Sequence, residues 1–289
     1  CTATVTDNNN ATVSSNTSVT VDNTAPTSTG ITISPNSGVV TGTALTCSAG
    51  FNDLEDGALT PTYAWTVGGN SVSNTTTYTV NANDTNVGDS VVCTASVTDS
   101  DGNTVTDSAT VTVDNTNPTI SNVSVSPNIA VTNDAILTCS ASASDIDETV
   151  SPTYAWNQNG TPFATGATVD LSQHSINPSD TIECVASVAD SNGGTASGTD
   201  SVGIGNRAPM VTTPTISNTS PEADETITCS ATASDADGGT PTVTYVWSNG
   251  QSTLGNSATL TLSPSTVNVG DPIVCTVTAT DIYGMTGGS

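Results

Sequence analysis

The sequence has almost no positive charge. It contains no lysine, one arginine (Arg207) and one histidine (His174), against 27 aspartates and glutamates, for a formal net charge of −26. A nucleic-acid-binding face needs a basic footprint, and a polybasic membrane contact needs clustered Lys or Arg. A single arginine builds neither, so nucleic acid is excluded as a partner, as is charge-driven contact with an anionic membrane. Charge of this sign and size repels anions, favours solubility and makes cations, calcium above all, suitable ligands. The shortage of basic groups also removes most catalytic constellations. His174 lies in the polar stretch LSQHSINPSD, has no nucleophile or base paired with it by pattern, and reads as a solvated loop histidine. No P-loop, GxGxxG or metalloprotease helix motif occurs. The chain is expected not to be an enzyme, and to need no catalytic cofactor.

Aromatic residues make up 3% of the chain and hydrophobic residues 34%. That is little for one large core in 289 residues; several small cores, each braced by a covalent link, fit better. No apolar run approaches the ~18 residues of a transmembrane helix, and the chain does not open with the charged and apolar regions of a signal peptide.

What the sequence does have is a repeat. Cysteines stand at 1, 47, 93, 139, 184, 229 and 275, so that successive gaps are 45 or 46. Tryptophans stand at 65, 156 and 247, both gaps being 91. The text around them repeats as well: ALTCSAGFNDLEDG, ILTCSASASDIDE and TITCSATASDADGG align, as do TPTYAWTV, SPTYAWNQ and TVTYVWSN. So do NVGDSVVCTASVTD, NPSDTIECVASVAD and NVGDPIVCTVTATD. Small or apolar residues alternate with Thr and Ser, the period-2 pattern of half-buried strands, and Thr and Val favour the pleated surface through their β-branched side chains. The chain reads as all-β.

A Cys, a Trp about 18 residues later and a second Cys about 46 residues after the first, within repeats of about 91, resemble the tandem immunoglobulin-like and PKD-like surface repeats of bacteria. The resemblance spans essentially the whole chain. It departs from antibody domains in lacking the tyrosine two residues before the second Cys, where Val91, Ile182 and Ile273 stand. It departs from PKD domains in lacking the aromatic-Gly-Asp-Gly run after the Trp. The resemblance implies tandem immunoglobulin-like β-sandwiches: 1–24 as the last two strands of a preceding repeat, then repeats at 25–115, 116–207 and 208–289, the last stopping before its final strand. It places Cys47, Cys139 and Cys229 on strand B, Cys93, Cys184 and Cys275 on strand F, and Trp65, Trp156 and Trp247 on strand C. The implied disulfides are Cys47–Cys93, Cys139–Cys184 and Cys229–Cys275. Cys1 is then in register for a partner outside the chain or in another molecule; a lipidated N-terminal Cys is the alternative. Zinc ligation competes for the cysteines but needs close Cys or His pairs, and none occurs. Disulfides persist in oxidising surroundings, so an extracellular or cell-surface location is expected.

Acidic residues cluster in each loop after strand B: Asp53, Glu55 and Asp56; Asp145, Asp147 and Glu148; Asp235 and Asp237. The linkers contribute Asp22, Asn23, Asp114 and Asn115, and the loops after strand F contribute Asp99, Asp101 and Asn103, then Asp190 and Asn192. In the resembled fold these segments share one end of the sandwich. Gathered hard oxygens suit Ca²⁺, and the DN-x-x-P linker with its acidic loop is similar to the calcium-stiffened junctions of cadherins. Asp, Asn and Gly as plain turn formers are the other reading. In the third linker Arg207 stands where the ion would be, and is expected to pair with Asp235 or Asp237. Seven N-x-[ST] sequons, at Asn10, Asn16, Asn74, Asn83, Asn122, Asn159 and Asn218, are possible glycan acceptors in an exported protein. The expected function is structural: a segment of a surface fibre, filament or adhesin stalk, whose partners are copies of itself or further repeats. A carbohydrate- or receptor-binding module and the spacer of a secreted enzyme are the alternatives.

Overall fold

The computed structural model describes residues 1–288. Apart from a 3₁₀ turn at Leu171–Gln173, the regular structure of these residues is strand throughout. None of them forms a helix long and apolar enough to cross a membrane. Two compact units result. One holds Cys1–Asn117 with the loops Asp145–Thr149 and Asp190–Gly194; the other holds Pro118–Ser144, Val150–Ala189 and the chain from Thr195 onward.

The first unit begins with a hairpin, Thr2–Thr6 against Thr12–Asn16, in register Val5↔Val13, with every residue exposed. A sandwich follows. Its first sheet pairs Thr27–Ser34 and Thr77–Thr79 with Ala44–Asp53, which Gly57–Leu59 extends. Its second sheet has the order Thr104–Thr112, Ser90–Thr98, Thr62–Val67, Asn70–Ser73, all antiparallel. The alternation of the sequence decides the faces. In Ser90–Thr98 the residues Val91, Cys93, Ala95 and Val97 are buried, while Val92, Thr94 and Ser96 between them lie half-buried on the other face. Cys47 and Cys93 sit on opposite sheets and are joined by a disulfide, Cα–Cα 6.5 Å. Beside it Trp65 is fully buried, its indole N–H donating to the Thr75 carbonyl at 3.0 Å.

The second unit repeats this plan twice. Thr119–Ser126, Ile136–Ser144 and Thr168–Asp170 form one sheet, and Thr161–Thr165, Thr153–Gln158, Thr181–Ala189 and Thr195–Gly203 form the other. The disulfide Cys139–Cys184 and Trp156 lie in one core cluster with Leu137, Leu171 and Ile182. In the last sandwich Thr226–Ser230 carries Cys229, Thr242–Ser248 carries Trp247 and Val274–Thr280 carries Cys275, with the disulfide again closed. The indoles donate to Gly166 and Ser257 carbonyls at 2.9 Å in both. Cys1 is free and exposed.

Two features depart from the sequence reading. Thr286–Gly288 pairs antiparallel with Thr278–Thr280, so the third repeat does enter its final strand. The reason is the turn before it, where Asp281 accepts the backbone N–H of Tyr283 and Met285 and reverses the chain. The missing tyrosine near the second Cys also has a local replacement. Tyr63 and Tyr154, each two residues before a Trp, accept the backbone N–H of Ala49 and Ala141 at 3.2 Å, joining the two sheets from the other side.

Each disulfide closes a loop of about 46 residues and contributes about 4 kcal/mol in the chain-entropy description. Trp156→Ala should cost about 3–5 kcal/mol. Because Trp156 and Trp247 belong to separate core clusters, the Cys139→Ala/Cys184→Ala variant should move the denaturant transition reported by Trp156 fluorescence and leave that of Trp247 in place. A joint shift would mean that the two cores unfold as one.

Candidate functional site at the repeat junctions

Three polar clusters recur at the spacing of the repeat, each assembled from a linker, the acidic loop after the first Cys strand and the turn after the second. The linker supplies an asparagine whose amide donates to the aspartate ending the second Cys strand: Asn23 to Asp99 at 2.8 Å, Asn115 to Asp190 at 2.8 Å and Asn206 to Asp281 at 2.7 Å. The other oxygen of each aspartate accepts backbone N–H groups of its own turn, from Asp101 and Asn103, from Asn192 and Gly194, and from Tyr283 and Met285. One carboxylate thus folds a hairpin and anchors a linker.

These bonds hold the carboxyls below their ordinary range. For Asp190 the Asn115 amide is the largest influence. For Asp99 and Asp281 burial is the largest and pushes upward, but the amides of Asn23 and Asn206 with the turn N–H groups outweigh it.

The acidic loops are equally regular. Their first aspartate makes a local turn: Asp53 accepts the N–H of Glu55 and Asp56, Asp145 that of Asp147, and Asp235 that of Asp237. The next acid reaches the residue after the linker asparagine. Glu55 accepts from the Thr24 hydroxyl, Asp147 from Thr116 N–H at 2.8 Å, and Asp237 from Arg207 N–H at 2.5 Å. Asp56 and Glu148 cap the turn after the second Cys strand, accepting the N–H of Ser100 and Ser191.

The second and third clusters also engage the turn six residues before a first Cys. In the second, Thr41 donates its hydroxyl to Asp147 at 2.5 Å. In the third, Arg207 makes the connection. Its Nε donates to Asp237 at 2.8 Å, Nη1 to Asp134 at 2.9 Å, and Nη2 to the Asn133 side chain at 2.7 Å and the Ala236 carbonyl at 3.0 Å. The Asp134 bond is the largest influence raising the guanidinium pKa, and it outweighs burial. The Asp237 side chain is 1% exposed and that of Asp134 56%, so the first pair is shielded from water and the second is not.

Among the described residues, every buried side-chain polar atom without a hydrogen-bond partner lies in these clusters. They are Asp53 Oδ2 in the first; Asn115 Oδ1, Thr116 Oγ1 and Asp145 Oδ2 in the second; and Asn206 Oδ1 in the third.

The structure brings the acidic loops and linkers named from the sequence together, but not every residue named in them. Asp22, Asp101 and Asp114 are exposed rather than turned into the clusters, and it is the asparagine beside each linker aspartate that docks. Backbone direction alternates from residue to residue, so only one of an Asp-Asn pair faces inward. Among the described residues no group of three or more carboxylates comes together as a metal-holding set. Arg207 pairs with Asp237 and not with Asp235, whose Oδ1 is taken by the Asp237 N–H. Thr41, Asn133, Asp134, Asn206 and Asp281 were not singled out from sequence; the period of 91 that carries Asp99 to Asp190 and on to Asp281 was the available signal. Of the sequon asparagines, Asn10, Asn16, Asn74, Asn83, Asn122 and Asn159 are exposed. Asn159 bonds Asp180, and the half-buried Asn218 donates to both oxygens of Glu225. His174 is exposed with its ring edge-on to Phe163, centroids 4.9 Å apart.

Strand order, disulfide placement and the buried tryptophans define a series of tandem immunoglobulin-like β-sandwiches. No protein-family model matches the sequence, and no curated protein does. Among solved structures the chain is similar to a Ca²⁺-stabilized adhesin that helps an Antarctic bacterium reach out and bind ice, with 20% identity over 100% of this chain and 79% of that one and a TM-score of 0.34. It is similar to immunoglobulin domains 1–5 of Sidekick-1, with 18% identity over 93% of this chain and 58% of that one, TM-score 0.34. It is also similar to extracellular cadherin domains 3–6 of protocadherin gamma B2, with 16% identity over 100% and 81%, TM-score 0.30. These are likenesses of fold alone.

Asp99, Asp190 and Asp281 have folded pKa values below the unfolded ~3.9, so the stability they contribute is present above that value and is lost as pH falls through the lower, folded one. The melting temperature followed from pH 7 downward should hold to about pH 4 and then drop. Asn115→Ala, which removes the main cause of the Asp190 shift, should flatten part of that drop. A double-mutant cycle should give a coupling of about 1–3 kcal/mol for Arg207 with the buried Asp237. For the exposed Asp134 it should give under about 1 kcal/mol.

Proposed function

We propose that the chain is a non-enzymatic structural segment of an extracellular adhesin stalk or surface fibre, whose work is to hold successive sandwiches in fixed register through their junctions. The observation that carries this reading is the threefold recurrence of the linker asparagine bonded to the terminal aspartate of the next repeat. A chain that only needed spacers would have no reason to rebuild that anchor at every junction. The disulfides fit an oxidising, extracellular setting.

Calcium is the cation we propose for the second junction. Asp145 Oδ2, Asn115 Oδ1 and Thr116 Oγ1 are buried hard oxygens without partners there, and carbonyls and water would supply the rest of the 6–8 oxygen ligands that calcium takes. At the third junction Arg207 brings its own positive charge to Asp237, which makes the ion dispensable. Bound calcium would neutralise buried carboxylate charge and stiffen the junction; the chain's own residues position the linker in either case.

Millimolar calcium, the range of extracellular modules, should raise the melting temperature of the chain relative to chelator, and Asp145→Ala should remove most of the rise. Arg207→Ala should leave it in place. A melting temperature indifferent to calcium and chelator would sink the calcium assignment and leave junctions held by hydrogen bonds alone.

A further inference from the structure

The turn after the second Cys strand is built the same way in all three sandwiches. Its opening aspartate, Asp99, Asp190 or Asp281, accepts the backbone N–H groups two and four residues on. A glycine at positive φ stands three residues on: Gly102 at 98°, Gly193 at 94° and Gly284 at 89°. These bonds come from the backbone, so the fold of the turn leaves the tip side chains free to vary. In the first two turns the tips carry Ser100, Asp101 and Asn103, then Ser191, Asn192 and Gly194. In the third they are Ile282, Tyr283 and Met285, exposed by 74%, 42% and 43%.

Met210, 76% exposed, extends this apolar tip. Gly287, two residues after Met285, lies so close to the carbonyl of Pro209 that a Cβ there would stand 1.8 Å from it, and Pro209 leads directly into Met210. The chain has two methionines, and both lie here. Thr27 and Thr119 stand where Met210 does, each directly after a linker proline, and they are exposed, as are Asp101 and Asn192 at the tips of the first two turns. Exposure therefore belongs to the position in every sandwich; in the third the chemistry has changed from polar to apolar.

A second change accompanies the first. Asp56 and Glu148 reach from the acidic loop to cap the first two turns at Ser100 and Ser191. Their counterpart beside the third turn is Gly238, which has no side chain, and the serine has become Ile282. The third sandwich has thus lost both the acid that approaches the tip and the hydroxyl that meets it. Leu54 and Ile146, also exposed, each stand alone between two acids. Single exposed apolar residues are ordinary, whereas a group of four on adjoining segments marks a contact surface.

We propose that Met210, Ile282, Tyr283 and Met285 are the contact surface for another protein, one that presents an apolar pocket within a basic surface. Tyrosine and methionine are enriched, and acids depleted, at the centres of protein interfaces, and this tip has that composition. The turn lies in the place of the strand F to G loop, at the end of the sandwich that variable immunoglobulin domains use for recognition. Charge selects the partner. A chain of net charge −26 attracts a basic surface and repels a second copy of itself. A sugar would find one hydrogen-bonding side-chain group on the patch, the Tyr283 hydroxyl. The recognition role adds to the structural one, and rests on neither the junction bonds nor calcium.

The test uses the full oxidised chain and the variant Ile282→Ser/Tyr283→Asp/Met285→Asn, which gives the third turn the residues of the first and should keep the melting temperature of the parent. A phage-displayed library of random peptides, selected on the parent and counter-selected on the variant, should yield peptides that combine Arg or Lys with large apolar residues. A selected peptide should bind the variant about 30-fold more weakly or worse, the loss expected when a central anchor is removed. With methionine labelled at its methyl carbon, Met210 and Met285 give the only two signals, and the peptide should move both. Equal recovery of peptides on parent and variant overturns the proposal, as do selected peptides that leave both methyl signals unmoved. Methyl signals that shift with the concentration of the chain alone would replace the basic partner with a second copy. Each of these failures leaves the structural reading and its calcium arm standing, since those are read from melting temperature.

Discussion

The disulfide that ties the two sheets of each sandwich is the constraint on which the rest depends. Each core is small and built mostly of valine, leucine and isoleucine around one tryptophan. Burial on that scale barely offsets the conformational entropy of ordering about 90 residues, about half of them Thr, Ser, Asn and Gly with little apolar surface to contribute. A cross-link spanning 45 or 46 residues removes much of that entropy from the unfolded chain beforehand. It also sets the sheet spacing, which is what lets one indole fill the space beside each sulfur bridge and still donate its N–H to a carbonyl in the bend between two neighbouring strands.

With the sandwiches held covalently, the loops are free to solve a second problem, the charge. A chain with 27 acids and one arginine cannot neutralise them by ion pairing. It satisfies them with neutral donors instead. Backbone N–H groups in tight turns, asparagine amides and Thr or Ser hydroxyls supply the hydrogen bonds, so carboxylates become turn formers and anchors rather than partners of lysine. The same groups that fold each loop therefore also dock the linker that arrives beside it, and the junction comes with no additional machinery. Arg207 is the exception, and it lies where one guanidinium reaches a buried carboxylate, an exposed one and two neutral oxygens at once.

Much of this was legible in the sequence. Cysteines 45 or 46 apart and tryptophans 91 apart fix a repeat, and the alternation of Val and Thr fixes which face of each strand is buried. The acidic loops, the linkers and the place of Arg207 could be found from that register. What could not be found was direction. Asp22 and Asn23 are both oxygen-bearing and adjacent; nothing in their identities says that the asparagine faces the cluster and the aspartate faces water. Nor does composition say that Asp235 spends its inward oxygen on a local turn and leaves Asp237 to meet Arg207. Thr41 and Asn133 were invisible for a different reason, since they meet Asp147 and Asp237 across 106 and 104 residues of chain.

The sequence by itself determined the repeat, the strand periodicity, the positions of the cross-linked cysteines and the excess of oxygen ligands near each linker, because these follow from spacing and residue type along the chain. Tertiary structure decided which oxygens are buried and which carboxylates share a partner. Those facts depend on side-chain direction and on contacts between distant segments, and both exist only once the sheets have closed on their disulfides.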